Sequence, residues 1–151
     1  MNVKIDSIIV HDGDNVKGFF YDYRFLSNFH PCTVQWAGMT FPSVENAYQA
    51  AKCQNDSDTE RFLSLTPNQA KHLGRKVELR KDWDDIKLEL MYLFNHQKFV
   101  SNPELKALLL ETGERYLEET NYWYDTFWGV CKGTGENHLG KILMRIREEL
   151  K

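Results

Sequence analysis

From residue 43 onward, side chains that start helices recur at short intervals, and this constrains the fold more than any other feature of the chain. Ser43 can cap a helix from about Val44 to Gln54, with Glu45 well placed in its positive first turn. Asp56 to Leu65 is a second helical stretch. Thr66 followed by Pro67 reads as an N-cap with proline at the first helical position, opening a third helix that stops near Gly74. The longest helix is expected from about Asp82 to Phe99, where Ile86, Leu90, Leu93 and Phe94 share a face. Asn102-Pro103 opens another that ends near Gly113. Asn137 caps the last, with Leu139, Ile142, Leu143 and Ile146 as its apolar stripe.

The first third of the chain has a different pattern. Lys4 to Val10 alternates and is β-branched, and His11 to Asn15 is a turn cluster. A second strand is expected over Lys17 to Tyr21. Thr33–Trp36 and Met39–Phe41, joined by Ala37-Gly38, read as a hairpin. Arg115–Thr120 and Phe127–Val130 suit short strands. The expected fold is therefore α+β, a single mainly helical domain with a small β-sheet over residues 1–151.

At 151 residues the chain can bury one substantial core, and neither a repeat nor a Pro/Gly/Ser linker interrupts it. A net charge of −3 argues against general coating of nucleic acid while leaving room for a local basic patch. The three cysteines lack C-x-x-C spacing, so a reducing, cytoplasmic setting is expected rather than a disulfide framework. The N-terminus does not read as a signal peptide, and no apolar run has membrane length, so no membrane partner is expected. The five histidines are scattered without H-E-x-x-H or paired-ligand spacing; neither a metal nor a cofactor is expected. The oligomeric state is not legible.

Three segments can carry chemistry. In the first, Glu45, Gln49 and Lys52 fall on one side of a helix, presenting a carboxylate and an amine together. On spacing alone a solvated polar face is the better fit. In the second, Lys71 to Lys81 gathers Lys71, His72, Arg75, Lys76, Arg80 and Lys81 against the single acid Glu78. Such a cluster suits phosphate or pyrophosphate, and Trp83 beside it can stack on a base or simply anchor a core. The third runs from Trp128 to Asn137, where Gly133 and Gly135 precede a helix start that could cradle an anion or form a tight turn. It fits neither the dinucleotide fingerprint nor the P-loop.

The order of these segments resembles the NADAR family. Its opening motifs are similar to Arg24-Phe25-Leu26-Ser27-Asn28-Phe29 and to Pro42 through Lys52. Its middle motifs resemble Gly74-Arg75, Arg80 to Trp83 and Lys98-Phe99. Its ending resembles Thr112-Gly113, Trp128-Gly129, Gly133 to Gly140 and Leu143 to Arg147. The likeness covers roughly residues 18 to 150.

That resemblance implies an N-glycosidase acting on ribose-phosphate or ADP-ribose units attached to an amine. The substrates associated with the family are ADP-ribose on guanine in nucleic acid, placed first here, and phosphoribosylaminopyrimidine intermediates of riboflavin synthesis. A non-catalytic ADP-ribose or nucleotide reader is a further alternative. Lys52 is the expected nucleophile and Glu45 the residue that handles protons. Arg24, Arg75 and the loop with Gly133, Gly135 and Asn137 are expected to hold phosphate. Phe29, Trp83 and Trp128 are expected to stack on the base, with Asn28 and Gln49 also binding substrate. One departure from the family stands out: some members carry an acid directly after the Trp-Gly pair, where this chain has Val130, and its nearest acids are Asp125 and Glu136.

Overall fold

The computed structural model describes residues 2–151. In chain order the elements begin with α1 (Val3–Ile8), β1 (Val10–His11), β2 (Asn15–Lys17) and a 3-10 turn (Tyr21–Leu26). The hairpin strands β3 (Pro31–Trp36) and β4 (Met39–Ser43) come next, then α2 (Val44–Ala51), α3 (Asp56–Glu60), α4 (Pro67–Gly74), α5 (Trp83–Val100) and α6 (Pro103–Glu111). The chain ends with β5 (Tyr116–Glu118), β6 (Thr120–Asn121), β7 (Val130–Cys131) and α7 (His138–Glu149). The fold is α+β and mainly helical, as expected. Its strands form three small sheets among the described residues, ordered β1-β2-β5, β3-β4 and β6-β7. The chain divides into two compact units, Met1–Ser27 with Pro103–Lys151, and Asn28–Asn102.

The central unit contains the β3–β4 hairpin and helices α2 to α5. Its core includes Phe41, Phe62, Met91, Phe94 and Phe99, all essentially removed from solvent. Each contributes about 1.5–3 kcal/mol of transfer free energy against the ordering of the chain. Gln97 on α5 fastens the hairpin by accepting from the Gln35 N–H at 2.8 Å and donating to the Gln35 carbonyl at 3.0 Å. Thr66 and Gln69 form a reciprocal capping box at the start of α4, with Pro67 at the first helical position. Asn46, fully buried, donates to the carbonyls of Phe62 (3.0 Å) and Leu65 (2.8 Å), tying α2 to the α3–α4 connection. On α5 the buried residues include Leu90, Met91, Phe94 and Asn95, whereas Leu93 of the expected stripe is 42% exposed.

The second unit joins the first 27 residues to the C-terminal third. β1 pairs antiparallel with β2, which pairs parallel with β5, and β6 pairs parallel with β7. Val16, Leu109, Leu117, Leu143 and Ile146 are buried, and the expected α7 stripe is buried throughout. Arg147, also buried, donates to the Thr112 hydroxyl (3.0 Å) and the Arg115 carbonyl (2.8 Å).

Several strand expectations are corrected here. Most of Lys4 to Val10 is helical, because the Asn2 side chain accepts from the Lys4 and Ile5 N–H groups and starts α1. The second strand sits at Asn15–Lys17, ahead of the expected Lys17–Tyr21. The stretch 115–120 divides into β5 and β6 around Glu119. The last strand is Val130–Cys131, not Phe127–Val130, because Asp125 holds Phe127 and Trp128 in a turn.

Candidate active site

Helix α2 begins where β4 ends. Ser43 caps it by accepting from the Asn46 N–H at 3.0 Å, and the Asn28 carbonyl accepts from the Glu45 N–H at 3.0 Å. Every residue from Val44 to Ala51 is buried, which excludes a solvated polar face for Glu45 and Gln49. Glu45 is 8% exposed and Gln49 5%, and the Gln49 Nε2 donates to Glu45 Oε2 at 2.7 Å. Residues four apart on a helix are neighbours, so the spacing itself delivers this contact. The other half of the amide, Gln49 Oε1, is buried without a hydrogen-bond partner. Such an acceptor is costly unless something donates to it.

Gly74, the last residue of α4, makes room for this arrangement. A Cβ there would run into Gln49 Oε1 and crowd its amide carbon. In the sequence Gly74 reads as a helix stop and as part of a motif shared with the family, neither of which reveals its packing against Gln49.

Lys52 follows directly after α2 and is half-buried, with Nζ 5.5 Å from the centre of the Tyr48 ring. Its amine is held below the ordinary lysine range. Burial is the main cause; the Arg75 guanidinium adds to it, and Glu45 opposes it. Glu45, Gln49, Lys52 and Arg75 thus belong to one unit and one electrostatic neighbourhood.

Other expected residues of this unit have different surroundings. Trp83 opens α5 only 6% exposed, packed 5.1 Å from Tyr48 at 56°. That makes it a core anchor, without the open ring face that base stacking needs. The Asn28 amide is engaged inside the unit, donating to Met91 Sδ at 3.4 Å and accepting from Asn95 Nδ2 at 3.3 Å. Direct substrate binding by that side chain is therefore set aside. Phe29 is half-buried and Arg75 exposed. A cavity of about 220 Å³ opens near the end of α2, lined by Trp36, Cys53, Asn55, Arg80, Lys81 and Asp82 among others. Arg80 and Lys81 of the basic cluster line it, whereas Glu45, Gln49, Lys52 and Arg75 do not. Burial pushes the Cys53 thiol up to about 11, so it is a packed group rather than a reactive one.

The second unit holds Arg24, Trp128, Gly133, Gly135 and Asn137. Arg24 is exposed in the 3-10 turn, and Trp128 is half-buried, edge-on to Phe127 at 4.8 Å. Lys132 and Gly133, with φ of +52° and +78°, make a tight turn closed by reciprocal bonds between Cys131 and Thr134. The amides of Glu136, Asn137, His138 and Leu139 donate to the carbonyls of Thr126, Gly129, Phe127 and Trp128. Four of the N–H groups around this helix start are therefore already engaged by the fold. Asn137 sits just before α7 with φ +53° and makes no side-chain cap. Its amide donates to the Leu117 carbonyl (2.9 Å) and accepts from the Glu119 N–H (3.0 Å), so it holds the fold rather than a ligand. Asp125, an alternative to the acid missing at Val130, accepts from the Phe127 and Trp128 N–H groups. Glu136 is exposed and lies 3.5 Å from His138.

Comparison with known proteins defines the class. The family model of the NADAR domain matches residues 18–151, and the chain belongs to that family. By that kinship it is an N-glycosyl hydrolase. It is 36% identical over 136 residues to an N-glycosidase of Nostoc punctiforme, covering 85% of this chain and 86% of that protein. It is 35% identical over 133 residues to the N-glycosidase YbiA of Escherichia coli, covering 85% and 82%. A riboflavin biosynthesis protein of Vibrio vulnificus is 39% identical over 141 residues, which cover 88% of this chain but only 38% of that longer protein. The NMR structure of E. coli YbiA superposes with a TM-score of 0.79 at 33% identity, covering 99% of this chain and 93% of that one.

Among the described residues, no helix is long and apolar enough to cross a membrane.

Proposed function

We propose that the chain hydrolyses the bond between C1 of a phosphate-bearing ribose and an amine, with Lys52 as nucleophile and Glu45 moving the protons. The observation that carries this reading is the ridge on and just after α2: a buried carboxylate bonded to a buried amide, followed by an amine that burial holds below its ordinary range. Desolvation leaves more of the lysine uncharged, and only the uncharged amine attacks carbon.

A ribose joined to an exocyclic amine can open to an imine at C1. Lys52 Nζ adds to that carbon, and the C1–N bond to the departing amine breaks as that nitrogen takes a proton. The resulting Lys52–C1 iminium is hydrolysed by water, which leaves oxygen on C1 and returns the lysine. Glu45 accepts a proton from the attacking amine and activates the water. Its negative charge also stabilises the cationic carbon. Gln49 orients Glu45 through Nε2. Arg75 supplies the charge for a phosphate.

For the substrate we favour ADP-ribose carried on guanine in nucleic acid. The exposed cations Arg75, Lys76 and Lys81, in the same unit as Lys52, suit a ligand with more than one phosphate. A phosphoribosylaminopyrimidine is the second reading, favoured by the similarity to a protein named for riboflavin biosynthesis. Borohydride added during turnover tests the covalent step. The expected result is a mass increase on the peptide that contains Lys52. Turnover by Lys52→Ala, with no adduct in the wild type, would remove the Schiff-base mechanism. Offering both substrates in parallel and following the released amine by mass spectrometry decides between them.

A further inference from the structure

We infer that the loop after β6 is a stacking platform for unpaired nucleobases of a single-stranded nucleic acid. Tyr122, Trp123 and Tyr124 stand in succession there, exposed by 37%, 38% and 72%. The loop is firmly held beneath them. Asn121, 1% exposed, accepts from the N–H groups of Trp123 (3.2 Å) and Asp125 (3.1 Å) and donates to the Asp125 carbonyl (2.9 Å). Asp125 in turn accepts from the Phe127 and Trp128 N–H groups at 3.1 and 2.9 Å.

Within this frame Tyr124 has φ +65°, a conformation rarely tolerated by a bulky side chain. Strain of that kind persists only where neighbouring bonds over-determine it. Two buried or half-buried polar side chains, Asn121 and Asp125, thus hold the backbone that carries these rings.

The cations define the partner. Lys4 Nζ lies 5.3 Å from the centre of the Tyr122 ring, and Lys132 Nζ lies 5.0 Å from that of Tyr124 and 3.3 Å from its hydroxyl. Trp123 meets Tyr122 edge to face at 5.0 Å, which fixes the two rings at a steep angle. Flat rings interleaved with ammonium groups fit a ligand that alternates flat bases with phosphates. In a duplex those base faces are already stacked and hidden, so a single strand is the matching form. A rigid display loses little freedom on binding. The inference stands apart from the catalytic reading, because an unmodified strand should bind whether or not Lys52 reacts.

Fluorescence anisotropy of a labelled eight-residue oligothymidylate with the full chain tests it. The wild type should bind saturably and more weakly as salt rises. The double variant Tyr122→Ser, Tyr124→Asn should bind about tenfold more weakly, having lost two stacking rings. Asparagine accepts positive φ, so this variant should keep its thermal midpoint. Lys132→Gln should cost about two- to threefold and flatten the salt dependence. The idea is overturned if the folded double variant binds as the wild type does. It is equally overturned if the wild type binds the oligonucleotide no better than inorganic phosphate, or if the loop binds anionic lipid vesicles instead.

Discussion

Helix α2 and the segment from Asn121 to Asn137 hold their polar groups in opposite ways. Along the Glu45–Gln49 ridge of α2, as distinct from Asn46, the groups meet side chain to side chain, Gln49 to Glu45, leaving Gln49 Oε1 unsatisfied in the interior. In the other segment, side chains such as Asn121, Asp125 and Asn137 are largely spent on backbone N–H and carbonyl groups. Groups satisfied by backbone build shape. Groups that face each other and leave an acceptor over can still act on something else. The difference separates a candidate reactive ridge from a scaffold whose aromatic rings remain on display.

Lys52→Met should break the comparison most sharply, abolishing turnover and the borohydride adduct while the thermal midpoint stays near wild type. Normal turnover in that variant would place the chemistry elsewhere. Glu45→Gln should follow, with turnover reduced about 10²- to 10⁴-fold as expected for loss of a proton-transfer group. Steady-state kinetics on the folded protein reads this out, and a loss confined to KM would reduce Glu45 to a binding role.

Asn137→Ala should act on stability instead. It strands the Leu117 carbonyl and Glu119 N–H, at about 1–3 kcal/mol for each group left buried without a partner. Urea unfolding measures it, and an unchanged midpoint would show that the loop does not depend on this amide. Gly74→Ala should lie between the two classes. It displaces Gln49 from its present position, costing about 1–3 kcal/mol through overpacking and lowering turnover as well. A loss of stability alone would detach Gln49 from the chemistry.

The smallest expected effect is a pH shift. The uncharged form of Lys52 attacks, so kcat/KM should rise with pH and level off below the ordinary lysine value of 10.5. The Arg75 charge helps hold the amine down, so Arg75→Gln should move that rise to higher pH. A shift to lower pH would contradict the electrostatics.

The helical part of this arrangement was readable because periodicity places side chains. Ser43, Thr66-Pro67 and the i, i+4, i+7 spacing of Glu45, Gln49 and Lys52 led to α2, α4 and the ridge before any geometry was known. Burial of that ridge was not readable, since spacing does not say which side a helix presents. Gly74 and Trp83 illustrate the same limit. Their roles arise from contacts with Gln49 and Tyr48, distant in sequence. The errors fall where side chains bond to nearby backbone. Asn2 converted a strand-like pattern into α1, and Asp125 moved the last strand to Val130. Local hydrogen bonds of this sort compete with β-propensity without leaving a periodic trace.

Asn46 carries a consequence of a different kind, concerning time rather than chemistry. Its amide joins α2 to the carbonyls of Phe62 and Leu65, so α2 cannot fray by itself without stranding those carbonyls. Deuterium should therefore reach the α2 amides only in openings large enough to release the stretch 62–65 as well. The two segments would exchange together, on a slower clock than exposed α3, and the ridge would stay assembled through the faster local motions of its surroundings.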